Sequence, residues 1–295
     1  MNPDLDLGQL RALAATVATG TLDGAARALS VTPSAISQRL KALEKATGRV
    51  LLVRTKPVRV TESGQAVLRL ARQMELLAAD TLRELGGGER AAPVVLPIAV
   101  NADSMATWVL PALAPLAGEY SFDLHREDQE RTSALLREGT VMAAVTADAT
   151  PVPGCTVTRL GAMRYRPRAT AAFAQRWLPD GPAVEALGRA PVVVFDRADD
   201  LQHRYLRERG VAGQPPQHHV PASWDYVEAV RLGLGWGMVP DAQLPEGELV
   251  ELDPDGAIDV VLYWQQWRLH SPGLERVAEA LLAAARTALD QPVRR

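Results

Sequence analysis

The chain has 295 residues, 47% of them apolar, 23% charged and 5% aromatic, with a single cysteine and a formal net charge of −3. These proportions exclude disordered and collagen-like chains and leave room for two domains with cores of their own. No apolar run approaches the ~18 residues of a membrane span, the first residues carry Asp4 and Asp6 where a leader would be basic and then apolar, and the lone Cys155 permits no intrachain disulfide; a cytoplasmic protein with no membrane partner is expected.

The charge is unevenly spread. Residues 1–60 hold nine basic groups against four acids, a net +5, which leaves −8 for the remaining 235 residues. All three lysines, Lys41, Lys45 and Lys56, lie in this first fifth. Such asymmetry points to a small module for a polyanion joined to a larger body with another task, although charge alone does not decide it.

Leu7, Leu10, Leu13 and Val17 recur at helical spacing and predict an amphipathic helix over about 5–19, stopped by Gly20. Thr21 caps a short second helix through Leu29, with Ala25, Ala26 and Leu29 inward. After a turn at Ser30 and Val31, Thr32 caps a third helix whose first position is Pro33, where a missing N–H costs nothing; it runs to about Thr47 and is closed by Gly48. Ile36, Leu40 and Leu43 share one face, so Ser34, Ser37, Gln38, Lys41 and Lys45 project from the other. These are the residue types a helix needs in the major groove of double-stranded DNA: Gln38 can pair with adenine, serines with any base edge, lysines with phosphate. Val50–Val53 and Val58–Val60 then flank Arg54, Lys56, Pro57 and Arg59, a two-stranded wing with a basic tip for the backbone or minor groove. The competing reading, a solvated three-helix domain with its cations outside, leaves the agreement of cap, apolar stripe, polar face and wing without a cause.

The run Leu10, Val17–Leu22, Ala25-Ala26, Leu29, Val31–Ser37, Leu40–Glu44, Gly48, Leu51–Arg54 and Thr61–Gly64 resembles the N-terminal domain of LysR-type transcription regulators. The match is long and ordered; Leu13, where that family commonly has Phe, departs from it in core packing rather than in a DNA contact. The resemblance implies a winged helix-turn-helix over residues 1–60 in which Thr32, Ser34, Ser37, Gln38, Lys41, Arg54, Lys56 and Arg59 meet DNA.

From Thr61 the apolar residues Val67, Leu70, Met74, Leu77, Ala78, Leu82 and Leu85 step by three and four, predicting a helix of about 36 Å. With little sequence beside it to cover so long a stripe, pairing with a second copy is expected over packing on its own body; LysR-type proteins pair through this helix, so the resemblance agrees. Gly86-Gly87-Gly88 ends it as a hinge, which sets a linker over 61–88.

Beyond residue 93 short apolar runs alternate with helical stretches. Strands are expected at 94–100, 121–126, 141–146, 157–166, 191–195, 217–221, 236–239 and 259–265, and helices at 104–117, 129–138, 171–177, 199–209, 225–232 and 273–289, an α/β pattern with ligands at the carboxyl ends of strands. Val100 leads through Asn101, Asp103 and Ser104 into a helix holding Thr107 and Trp108, and a helix start suits a carboxylate. Asp103, Glu127, Asp128 and Asp196 stand at strand ends. A zwitterion with a cationic side chain would fit that set, as would plain helix capping by the acids.

Leu51–Gln65, Leu96–Pro115, Leu160–Ala162, Ala190–Asp200, Gly247–Leu252 and Leu262–Trp264 are similar to the ArgP/LysG subgroup, LysR-type regulators of basic amino-acid export that sense lysine or arginine and in some members histidine. The similarity spans nearly the whole chain, and Asn-Ala-Asp-Ser-x-Ala-Thr-Trp is its most specific segment. It implies a periplasmic-binding-protein-like effector domain over 93–295, with one subdomain from 93–163 and 266–295 and another from 164–265. It also implies a cleft lined by Asn101, Asp103, Ser104, Thr107, Trp108, Glu127, Thr146 and Asp196. Within it, Ser104 and Thr107 are assigned to an α-carboxylate, and Asp103 and Glu127 to the ammonium or guanidinium of L-lysine or L-arginine. Trp108 is either a cation–π partner or core. A homodimer or homotetramer working with RNA polymerase is implied, and no cofactor.

No P-loop, G-x-S-x-G or HExxH occurs, Gly233–Gly237 lies in the reverse order to a dinucleotide loop, and His218-His219 with His203 lack metal spacing. A non-enzymatic regulator is therefore expected. The alternatives are an architectural or replication-related DNA binder, a LysR-type regulator with another effector, and an enzyme or solute-binding protein that would leave the 32–45 helix unexplained.

Overall fold

The structure, a computed structural model, describes residues 5–53, 55–85, 94–126, 129–243, 247 and 249–289. The N-terminal module holds α1 (Leu7–Thr19), α2 (Leu22–Ala28), α3 (Pro33–Thr47) and a wing of β1 (Leu52–Val53) and β2 (Arg59–Val60). Local chemistry sets these limits. Asp6, Thr21 and Thr32 each accept an N–H of the first turn that follows, and Gly20 and Gly48 end α1 and α3 in the left-handed conformation (φ 69° and 65°). Leu10, Leu13, Ala25, Ile36, Leu40 and Leu43 form the core, each side chain as large as Leu or Ile contributing about 1.5–3 kcal/mol on full burial.

α4 (Glu62–Glu84) is one continuous helix, as its periodicity predicts. Its buried face matches the expected stripe only in part. Leu68 and Ala71 complete the N-terminal core with Val67 and Met74 packed against it, and Leu76 enters the C-terminal core, whereas Leu77, Leu82 and Leu85 of the expected stripe stay exposed. The helix thus has two apolar faces, one spent on its own chain. The hinge glycines that follow lie outside the described residues. Gly64 lets α4 start against the wing: a Cβ there would stand 2.1 Å from the Leu51 carbonyl oxygen.

The C-terminal body is built from β3 (Val94–Val100), an irregular helix in four pieces (α5, Ala102–Ser104; a π turn, Met105–Val109; α6, Leu110–Leu113; a 3-10 turn, Ala114–Leu116), β4 (Tyr120–Arg126), α7 (Gln129–Glu138), β5 (Ala143–Thr146), β6 (Cys155–Ala169), α8 (Ala171–Trp177), α9 (Val184–Leu187), β7 (Val192–Val194), α10 (Leu201–Glu208), β8 (Gln217–His219), α11 (Ser223–Arg231), β9 (Gly237–Pro240), β10 (Val250–Glu251), β11 (Ile258–Trp267) and α12 (Pro272–Ala288). The short α9 and β10 are the elements the periodicity does not announce; each is too brief to carry a period.

The sheet runs β4–β3–β5–β11–β6–β10, with β9 also on β6. β3 is parallel to β4 and β5, while β6 and β11 are antiparallel and pair along almost their whole length. At one end of that pair Tyr263–Gln266 lie beside β5; at the other, Tyr165–Arg168 pair with β9. The register shifts between Leu262 and Tyr263, where Leu160 is the extra residue of a bulge. β7 and β8 form a parallel pair joined to the Trp236 backbone.

Gly64→Ala is expected to lower the stability of the N-terminal module by about 1–3 kcal/mol through overpacking, read as an earlier first transition in urea with the second transition unmoved.

Candidate functional site

Two places in the fold gather polar chemistry. On α3 the cap and the buried stripe fix rotation about the axis, and Ser34, Gln38, Lys41 and Lys45 stand exposed on the outer face, with Ser37 half-buried and Thr32 exposed at the cap. Glu44 turns inward and accepts the Leu51 N–H at 2.9 Å, which ties the end of α3 to the wing. Lys56 and Arg59 are exposed on the wing. Arg54 lies outside the described residues. Among the described residues these side chains of α3 and the wing are left open to solvent.

The second place is the end of β3. Asn101 starts the irregular helix without using its side chain as a cap, and its Oδ1, the Ser104 hydroxyl and the Trp108 Nε1 are buried with no hydrogen-bond partner among the described residues. A buried polar atom without a partner costs about 1–3 kcal/mol, and the segment 101–108 holds three of them. A π turn follows at Met105–Val109, a widening that recurs at functional sites.

Asp103 is the centre of this region. Its carboxylate accepts from the Tyr165 hydroxyl at 2.7 Å and the Ser223 hydroxyl at 2.6 Å. Asp103 belongs to the β5 end of the long strand pair, and both donors belong to the β9 end, so one carboxylate spans the gap between them. Gln243 supports Ser223, donating to its carbonyl at 2.9 Å. Burial first, and then the Asp103 charge, hold the Tyr165 hydroxyl well above its ordinary pKa, so it remains a donor. Asp199 is a second carboxylate within electrostatic reach; burial raises its pKa, against the N–H groups of Leu201 and Phe195 that favour its charged form. Asp103 and Asp199 are both half-buried, so two carboxylates stand near the hydroxyl donors Tyr165 and Ser223.

The residues expected in a cleft do not all converge on Asp103. Ser104 does, by sequence adjacency. The Thr107 hydroxyl donates to the Asp103 carbonyl at 2.7 Å, one turn back. Trp108 is 4% exposed and packs in the main core. Thr146, buried at the end of β5, accepts from the Asp148 N–H. Asp196 accepts the N–H groups of Ala198 and Asp199 in its own loop, and its neighbour Asp199, whose two oxygens accept the N–H groups of Phe195 and Leu201, is the acid within electrostatic reach of Asp103. Glu127 and Asp128 lie outside the described residues. Tyr165, Ser223, Asp199 and Gln243 went unread because nothing local distinguishes a tyrosine on a strand or a serine at a helix start. A surface depression of about 440 Å³ on α8 and α9, bordered by Arg176, Trp177 and Arg189, includes none of these residues.

Residues 7–65 match the family model of the bacterial regulatory helix-turn-helix protein, lysR family, and residues 95–286 match that of the LysR substrate binding domain. The chain belongs to the LysR family. The HTH-type transcriptional regulator LysG of Mycobacterium tuberculosis is 45% identical to it over 292 residues, 97% of this chain and 95% of that protein. The crystal structure of ArgP from Mycobacterium tuberculosis superposes with a TM-score of 0.83 at 43% identity, covering 96% of this chain and 98% of that one. Full-length LysG from Corynebacterium glutamicum with bound effector arginine gives a TM-score of 0.75 at 40% identity, covering 97% and 100%. The winged module is thus the DNA-binding part of a LysR-family transcriptional regulator, and the α/β body corresponds to the family's substrate-binding domain.

Ser223→Ala removes one of the two hydroxyls on Asp103 and is expected to cost about 1.5–3 kcal/mol, the range for hydrogen bonds to charged groups, measured as the shift of the C-terminal body's urea transition.

Proposed function

We propose that this LysR-family regulator senses a basic amino acid, L-lysine or L-arginine with L-histidine as a further candidate, and controls transcription of a gene for amino-acid export. The observation that carries the reading is Asp103, a carboxylate that spans the two ends of the strand pair beside three unpartnered buried polar atoms. An α-carboxylate would meet Ser104 and the start of the irregular helix; the cationic end would meet Asp103, with Asp199 and Glu127 as further acids. Arginine bound to the Corynebacterium glutamicum LysG supports that chemistry, as does the description of the regulator from that organism as a lysine export transcriptional regulatory protein.

In this proposal residues 1–60 form the DNA-binding domain, 61–88 the linker and 93–295 the effector domain, whose two subdomains meet at the bulge near Leu160 and Leu262. Thr32, Ser34, Ser37, Gln38, Lys41, Arg54, Lys56 and Arg59 contact DNA, with Gln38 reading a base. Leu77, Leu82 and Leu85 cover themselves against a second copy, which sets two winged modules on successive major grooves. Ligand favours one arrangement of the two ends of the effector domain and so alters how the oligomer bends the promoter or meets RNA polymerase. The protein works in the cytoplasm and carries out no catalytic step. Among the described residues no helix is long and apolar enough to cross a membrane.

Fluorescence anisotropy with the upstream intergenic DNA, with and without L-arginine, L-lysine and L-histidine at two salt concentrations, tests this. Specific, salt-sensitive binding altered by one of them is expected; specific binding indifferent to all three would sink the effector assignment and favour an architectural role. Gln38→Ala should lose about 1–3 kcal/mol of discrimination at one base pair, read across single-base operator variants. Asp103→Asn keeps an acceptor for Ser223 but removes the charge, and should weaken L-arginine binding by about 1.5–3 kcal/mol in calorimetry with DNA affinity nearly unchanged.

A further inference from the structure

The linker helix is fastened to the C-terminal body by three charged side chains, two arginines at one point and an aspartate at another. Arg72 is 8% exposed, and its guanidinium donates to the carbonyl of Gly139 at 2.7 Å and to that of Thr140; Arg69 donates to the carbonyl of Arg137. All three carbonyls lie at or just beyond the C-terminal end of α7, where helix carbonyls lack partners and carry partial negative charge. Two turns on, about 12 Å along α4, Asp80 accepts from the hydroxyl of Ser271 at 2.5 Å, and Ser271 is the N-cap of α12. A cation thus sits at a helix C-terminus and an anion at a helix N-terminus, each matched to the local dipole.

The α7 contact is close because Gly139 has no side chain. Its φ is +73°, and a Cβ would stand 2.4 Å from the Arg69 Cγ and 3.1 Å from the Arg69 backbone nitrogen. Burial brings the Arg72 pKa down to about 10, against the raising effect of Asp123 and Glu75. The guanidinium therefore stays charged near neutral pH, and losing its carbonyl partners while buried is costly.

α7 also reaches the cleft. Ser133, one turn into α7, donates to Asp148 at 3.1 Å, and the Asp148 N–H donates to Thr146 at the end of β5. α7 is about 15 Å long, so one rigid element touches the cleft wall near its start and the linker helix at its end. α4 in turn places Leu68 and Ala71 in the core of the DNA-binding module.

We infer that α7 is the rod through which the cleft and the DNA-binding module sense each other, and that Arg72, assisted by Arg69 and by the bare backbone at Gly139, is the positioning residue that makes the joint. The role of the cleft as the effector site rests on the function proposed above; the mechanical link does not. Coupling between two sites is reciprocal, so disturbing either end must be felt at the other without any ligand.

Hydrogen exchange on the full-length protein without ligand tests this from both ends. In Arg72→Met the amides of 146–150 should exchange at least tenfold faster than in the parent chain, with α3 unchanged. In Ser133→Ala, a milder change at the cleft end, the amides of 69–76 and 137–140 should lose protection by a similar factor. Unchanged exchange at the far end in either folded variant overturns the inference, because a merely structural joint would loosen only its own surroundings. Adding L-arginine separates the two readings. With a working link it protects 69–76 in the parent chain and only the cleft in Arg72→Met. No protection anywhere in the parent chain refutes the proposed effector while leaving the ligand-free comparison to judge the link.

Discussion

The pairing of β6 with β11 is the constraint on which the C-terminal body depends. Both strands run through the bulge at Leu160 without a break, one end sharing hydrogen bonds with β5 and the other with β9. Two continuous strands allow the ends to twist about the bulge, and they forbid wholesale separation. Whatever fixes the twist therefore fixes the shape of the cleft. Asp103 is placed to do so, since its carboxylate is held by Tyr165 and Ser223 from the opposite end.

At the other extremity the DNA-binding module relies on two kinds of force that answer to different conditions. Its core is a small apolar cluster completed by α4, whereas its outer face is cationic. Contacts between such a face and phosphates weaken steeply with salt through counterion release; base readout by short polar side chains does not. The rest of the chain carries a net −8, an unfavourable surface for a polyanion.

α4 joins these parts and belongs to both. Its inner face is consumed by the chain's own two cores, and a second apolar face with Leu77, Leu82 and Leu85 remains. A stripe counted along the sequence finds apolar residues without telling which of two faces is already covered. That depends on where the C-terminal body comes to rest against the helix, which Arg72 and Asp80 decide.

The sequence by itself determined what is local. Caps at Thr21 and Thr32, stops at Gly20 and Gly48 and the apolar period of α3 fix the winged module almost to the residue, because hydrogen bonds within one turn and a 3.6-residue repeat need no distant partner. The alternation of strands and helices beyond residue 93 was legible for the same reason, and Asp103 stood out as an acid at a strand end. Only the tertiary structure decided which residues surround that acid. Tyr165 and Ser223 lie 62 and 120 positions away, Asp199 comes within electrostatic reach of it, and Trp108 is buried in the main core. Their meeting is set by β6, β9 and β11 lying side by side, and strand order over such separations leaves no trace in local periodicity.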